Sequence, residues 1–131
     1  MKDRKMLLST LWIFAMLNYL YCDVVGLMDP KLLKEIMSGV VGGGLELTPG
    51  FLFGASVMME IPIAMVILSR VLKYGLNRWF NIIAGIIMTL VQIMSLFVGA
   101  PTSYYVFFSI IEISCTAFIV WYAWTWPKEA V

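Results

Sequence analysis

Residues 104–126, YYVFFSIIEISCTAFIVWYAWTW, decide the fold, because they form an apolar run interrupted by one charged side chain, Glu112. About 20 apolar residues are enough to cross a hydrocarbon core of roughly 30 Å as an α-helix. Three further runs of this length come earlier in the chain. The sequence therefore predicts an all-α membrane protein, an antiparallel four-transmembrane-helix bundle with spans at about 7–28, 51–72, 79–98 and 104–126.

The composition agrees with this interpretation. Hydrophobic residues make up 62% of the chain and charged residues 13%, whereas roughly a quarter of an ordinary soluble domain is charged. We therefore predict a single integral membrane domain over residues 1–131, with membrane lipid as its surroundings. The net charge of +1 and the absence of a basic tract argue against nucleic acid as a partner. There is no histidine, and we predict neither a metal site nor a cofactor.

A short helix is predicted between the first two spans, at about residues 30–38. Asp29 can accept a hydrogen bond as its N-cap, Pro30 suits the first helical position, and Gly39 can end it. Its apolar residues fall on one face, so it should lie in the membrane interface.

The Lys and Arg residues predict the topology, because those in short flanks remain on the cytoplasmic side of the membrane. Seven of the nine share one side of a four-span protein. Only Lys31 and Lys34 lie on the other side. Both termini are therefore predicted to be cytoplasmic, in a multi-pass protein of the cell (inner) membrane. The seven residues are Lys2, Arg4, Lys5, Arg70, Lys73, Arg78 and Lys128.

Several polar side chains lie within the predicted spans. An ionisable group at bilayer depth costs at least about 2.5 to 3.5 kcal/mol on insertion scales, so each needs a partner, a proton or a function. Glu60 and Glu112 are both predicted roughly 12 to 14 Å below the outer face, and Asp23 is shallower. We expect Glu60 and Glu112 to face one interior space. The candidate ligand-binding residues are Glu60, Glu112, Asp23, Asn18 and Gln92.

Helical spacing places two polar stripes towards the bundle interior. Tyr105, Ser109, Glu112 and Thr116 follow one face of the fourth span, and the third span carries Gly85, Thr89, Gln92 and Ser95. No basic residue lies at the depth of the two glutamates. Desolvation and a like charge nearby both favour a neutral carboxyl, so we predict that at least one of the two is protonated at neutral pH.

Three blocks of sequence resemble a family of small bacterial four-span membrane proteins of unknown function. They are residues 8–30 (LSTLWIFAMLNYLYCDVVGLMDP), 59–85 (MEIPIAMVILSRVLKYGLNRWFNIIAG) and 104–127 (YYVFFSIIEISCTAFIVWYAWTWP). The resemblance implies a bacterial or archaeal inner membrane and four spans. It implies no activity.

Three functions are compatible with these residues. The leading hypothesis is binding or transport of a small cationic or amphipathic molecule, or of a proton, at an intramembrane carboxylate site. The second is an accessory or structural membrane subunit whose buried carboxyls join helices. The third is a membrane enzyme with isomerase-like chemistry, in which Glu60 and Glu112 are acid and base, although no nucleophile or metal motif supports it. A homo-oligomer is left open.

Overall fold

The computed structural model describes residues 2–97 and 101–127, and within them the chain forms five α-helices and one small β-hairpin. Four of the helices are long and apolar enough to cross a membrane. The elements in chain order are α1 (Lys2–Met28), α2 (Pro30–Ser38), β1 (Val40–Val41), β2 (Leu45–Glu46), α3 (Pro49–Val71), α4 (Tyr74–Ser95) and α5 (Ser103–Trp124).

These elements make the predicted membrane fold, an antiparallel bundle of four spanning helices. Helix α1 packs against α3 and α5, α4 packs against α5, and α3 meets α4 over a smaller area. One stripe of α1, at the helical spacing of three and four residues, supplies much of the core. Its members are fully or almost fully buried: Leu8, Trp12, Ala15, Tyr19 and Cys22.

Helix boundaries differ most from the predicted spans at the starts of α1 and α4, which begin at Lys2 and Tyr74 rather than near residues 7 and 79. The segment from Tyr74 to Arg78, predicted to be a link, is therefore the first turn of a helix. The chain passes from α3 to α4 with Leu72 and Lys73 alone between them, and the Asn77 backbone N–H donates to the Lys73 carbonyl at 2.8 Å. Residue 98, the predicted end of this span, lies outside the described residues.

The predicted short helix is α2, and it is capped as its sequence indicates. The Asp29 side chain accepts a hydrogen bond from the Lys31 backbone N–H at 3.1 Å, and Pro30 is the first helical residue. Gly39 ends the helix with a φ of 85°, a left-handed conformation that favours glycine. The Tyr104 hydroxyl at the start of α5 donates to Asp29 Oδ2 at 3.0 Å, which fixes α2 to the bundle.

The two ends of the bundle differ in composition. The basic end carries Arg4 and Arg78, and the hairpin end, opposite, carries α2 and the β-hairpin. Arg78 donates to the carbonyls of Ala123 and Trp124, at 3.2 and 3.0 Å. Arg4 donates to the Tyr122 carbonyl at 2.8 Å and lies 4.1 Å from the centre of the Tyr122 ring. These guanidinium groups therefore satisfy the carbonyls that the end of α5 leaves free.

Candidate functional site

At the basic end, a closed network of polar side chains joins three of the helices. Asn81 on α4 is fully buried. Its Oδ1 accepts from Trp12 Nε1 at 2.7 Å and from Ser69 Oγ at 3.2 Å, and its Nδ2 donates to the Asn77 backbone carbonyl at 2.8 Å and to Asn77 Oδ1 at 2.7 Å. Asn77 in turn donates to the Ser69 carbonyl at 2.7 Å. Every donor and acceptor of the Asn81 amide is thus used, and the network holds α1, α3 and α4 together.

Nearer the hairpin end, the two predicted polar stripes of α4 and α5 face each other, as expected. Three hydrogen bonds link them: Thr89 with Thr116 at 2.7 Å, Gln92 to Ser109 at 2.8 Å, and Tyr105 to Ser95 at 2.6 Å. Between the first two of these pairs lies Glu112, on the same face of α5.

Glu112 is the most deeply buried carboxyl that the structure describes, with 1% of its surface exposed. Within the described part of the chain, its Oε2 atom has no hydrogen-bond partner, and neither does the hydroxyl of Tyr19. Tyr19 and Glu112 each lie nine residues from the hairpin-end terminus of their helices, a depth of about 14 Å. Helix α1, which carries Tyr19, packs against α5, which carries Glu112. A carboxyl and a hydroxyl group are therefore buried at the same depth on neighbouring helices, each with an oxygen that has no hydrogen-bond partner among the described residues.

Asp23 brings a second carboxyl to this region. It lies four residues after Tyr19, on the same face of α1, and, unlike Glu112, it is exposed. It follows Ser9 by fourteen residues, close to four helical turns, so both project from the same side of α1. Because Ser9 Oγ donates to the Val66 carbonyl at 2.7 Å, that side is the one facing α3. Asp23 thus lies where α1 borders α3, at the hairpin end.

Helix α3 packs tightly only near the basic end. Its buried residues are Pro62, Met65 and Ser69, whereas every position from 49 to 57 is exposed. Nine consecutive residues cover all faces of a helix, so no face of α3 is buried between residues 49 and 57. The bundle is therefore packed more closely at the basic end than beside the start of α3 at the hairpin end.

The expectation that Glu60 and Glu112 face one interior space is wrong. Glu60 is exposed on the outward face of α3, in helical phase with Phe53 and Ile67, which are 71% and 64% exposed. The buried face of the same helix carries Met65 and Ser69. Helical geometry thus turns Glu60 away from the bundle, and the carboxyl that accompanies Glu112 is Asp23.

The remaining two candidates have ordinary hydrogen-bond partners. Gln92 is 9% exposed and bonds to Ser109, which lies one helical turn before Glu112 on α5. Asn18 is half-buried and donates to the Phe14 carbonyl of its own helix at 2.8 Å. The structure therefore groups Glu112, Asp23 and Gln92 and leaves Asn18 and Glu60 apart.

Tyr19 was not among the predicted site residues, and neither was the asparagine network. The signal for Tyr19 is its place on the buried stripe of α1, seven residues after Trp12 and three before Cys22. Asn77 and Asn81 are four residues apart, which puts two amides on one helical face, but Asn77 fell in the predicted link between spans.

Comparison with protein families gives a match over the whole chain. The model of the Family of unknown function (DUF6326) matches residues 1–131. No curated protein and no solved structure matches the chain.

Proposed function

The chain belongs to the DUF6326 family of unknown function, and from this premise we propose that it binds or transports a small cation or a proton through the carboxyl of Glu112. The protein is a small polytopic membrane protein. The observation that carries the proposal is the contrast between its two buried polar regions.

The asparagine network at the basic end shows what a structural polar region looks like in this bundle. Buried polar groups that only join helices are expected to be satisfied by protein partners. The Asn81 amide meets that expectation in full. Among the described residues, the Trp126 indole N–H beyond α5 lacks a partner, and in the core of the bundle Glu112 Oε2 and the Tyr19 hydroxyl also lack one. A buried carboxyl with an oxygen that lacks a hydrogen-bond partner can still bind a ligand, which favours a functional role.

The chemistry of the site fits a cation that replaces a proton. No Lys or Arg occurs on the four helices at the depth of Glu112, and a lone carboxylate in an apolar interior is costly. In the resting state Glu112 is therefore protonated. An entering cation displaces that proton and is held by the carboxylate, with the Tyr19 oxygen as a second ligand. Gln92 orients Ser109 at the side of the site.

The route to Glu112 in this proposal passes beside the start of α3. Asp23 is exposed on the side of α1 that faces α3, and residues 49–57 of α3 are exposed as well. A carboxylate at that entrance attracts cations and leads them towards Glu112. By the basic-residue bias we place the basic end in the cytoplasm and the entrance on the outer side of the cell membrane, with residues 1–131 as one integral membrane domain. Lys128 and Val131, which bear on the C-terminal location, lie outside the described residues.

A structural subunit is the second candidate, and the three hydrogen-bonded pairs between α4 and α5 favour it. In that case Glu112 remains protonated as one more polar contact along the α4–α5 seam. The enzyme hypothesis needs two carboxyls facing one substrate. Its proposed pair, Glu60 and Glu112, is separated by the outward orientation of Glu60.

Thermal unfolding in detergent separates the two candidates. The experiment compares wild type with Glu112→Gln and Glu60→Gln. The melting temperature of each protein is measured alone and with a lipophilic tertiary amine, Na⁺ or Mg²⁺, from about pH 5 to pH 9. We expect at least one of these cations to stabilise wild type, increasingly as the pH rises, because protons compete for the carboxyl. Glu112→Gln should fold but lose the effect, and Glu60→Gln, the matched control, should keep it. If no cation stabilises wild type more than Glu112→Gln, the carboxyl is structural.

A further inference from the structure

The outward face of α3 carries a heptad pattern along its whole length. Six positions alternate by four and three residues, the spacing that produces a left-handed helix pair. All six are exposed, and Phe53, Val57, Ile67 and Val71 are between 53% and 71% exposed. We call this stripe the α3 seam. It consists of Phe53, Val57, Glu60, Ala64, Ile67 and Val71.

Glu60 distinguishes the α3 seam from an ordinary lipid-facing surface. It lies at the midpoint of the 23-residue helix, where a carboxyl facing hydrocarbon is costly whether charged or neutral. The next seam residue, Ala64, is small and leaves room for the glutamate side chain. An apolar stripe alone can face lipid, but a carboxyl in its centre requires a polar group opposite.

We propose that the α3 seam is the contact surface of a parallel homodimer, in which the Glu60 carboxyls of two copies hydrogen-bond to each other. A two-fold axis along the membrane normal places each seam residue opposite its own copy. A protonated carboxyl is both a donor and an acceptor, so two such groups complement each other, and small or polar interface residues suit helix pairing in lipid. The distribution of basic residues gives both copies the same orientation in the membrane. The two α3 helices of the pair are therefore parallel.

Disulfide cross-linking of the purified protein in lipid vesicles tests the surface and its orientation. In a parallel pair, Val57→Cys and Ala64→Cys should each form cross-linked dimers with their own kind. Ile110→Cys, on the exposed face of α5 and 62% exposed in the wild type, should not. Wild type is a second control, since Cys22 and Cys115 are buried. If instead disulfides form only when the Val57→Cys and Ala64→Cys proteins are mixed, and not within either variant alone, the pair is antiparallel and the proposal is overturned.

The role of Glu60 is tested by fluorescence transfer between labelled copies diluted in lipid. Glu60→Leu should lower the association constant by about three- to fifteen-fold for each intramembrane hydrogen bond that it removes, while Glu60→Gln retains most of the association. Both variants should keep the thermal stability of the isolated bundle, because Glu60 is exposed on the outward face of α3. A monomeric wild type in vesicles, as expected if a different protein covers α3, refutes the proposal. Undiminished dimerisation of Glu60→Leu also refutes it.

Discussion

Replacement of Asn81 by alanine is expected to destabilise the bundle more than any exposed polar substitution. The change removes both acceptor bonds, from Trp12 and Ser69, and both donor bonds to Asn77. The Ser69 hydroxyl can rotate to another acceptor, but the Trp12 indole N–H and the Asn77 Oδ1 atom lose a partner while fully buried. At about 1 to 3 kcal/mol for each unsatisfied group, and allowing for partial relaxation, we expect a loss of about 2 to 4 kcal/mol.

The assay is reversible unfolding in mixed micelles, arranged as a double-mutant cycle with Trp12→Phe. The two side chains share one bond, so the double variant should lose about 1 kcal/mol less than the two single variants together. Ser56→Ala is the control, since Ser56 is exposed and bonds only to Leu52 of its own helix. It should change the stability by less than about 0.5 kcal/mol. Additive effects of Trp12→Phe and Asn81→Ala would show that the network does not couple α1 to α4.

Three further predictions concern packing, capping and topology. Gly85→Ala should destabilise the α4–α5 contact by about 1 to 3 kcal/mol, because its Cβ would lie 2.6 Å from Val120 Cγ2, and the same unfolding assay measures this. Arg78→Met removes two hydrogen bonds to the end of α5 and should cost about 1 kcal/mol, whereas an unchanged stability would contradict the capping role. For topology, a membrane-impermeant thiol reagent should label Lys34→Cys but not Lys73→Cys in intact cells, and the reverse pattern would invert the proposed orientation.

The four spans, the α2 cap and the facing stripes of α4 and α5 could be predicted because their signals are local. Hydropathy over about 20 residues identifies a spanning helix, and Asp29, Pro30 and Gly39 act within a few residues of one another. The stripes follow from helical spacing alone. Thr89 and Gln92 meet Thr116 and Ser109 across a close contact that Gly85 permits.

The orientation of Glu60 could not be predicted because a spanning helix is apolar on both its lipid face and its bundle face. Apolar periodicity therefore does not show which face is buried, and Phe53 and Met65 look alike in the sequence although one is exposed and the other is not. The assumption that a carboxyl points inward held for Glu112 and failed for Glu60. Trp126 is also buried, with 3% of its surface exposed, although tryptophan at the end of a span commonly lies at the membrane interface. The chain turns after α5, and the Tyr74 hydroxyl donates to the Trp126 carbonyl at 2.8 Å.

Infrared difference spectroscopy of the protein in lipid vesicles measures most directly whether Glu112 exchanges its proton, because protonated and ionised carboxyls absorb separately. Subtracting the spectrum of Glu112→Gln from that of wild type leaves the bands of the Glu112 carboxyl. Subtracting the spectrum of Glu60→Gln in the same way leaves those of Glu60, which serve as the control. We expect a protonated carboxyl band at neutral pH that decreases when a lipophilic amine is added or when the pH is raised to about 9. A Glu112 band that is the same from about pH 5 to pH 9, with and without amine, would contradict the proposed cation site.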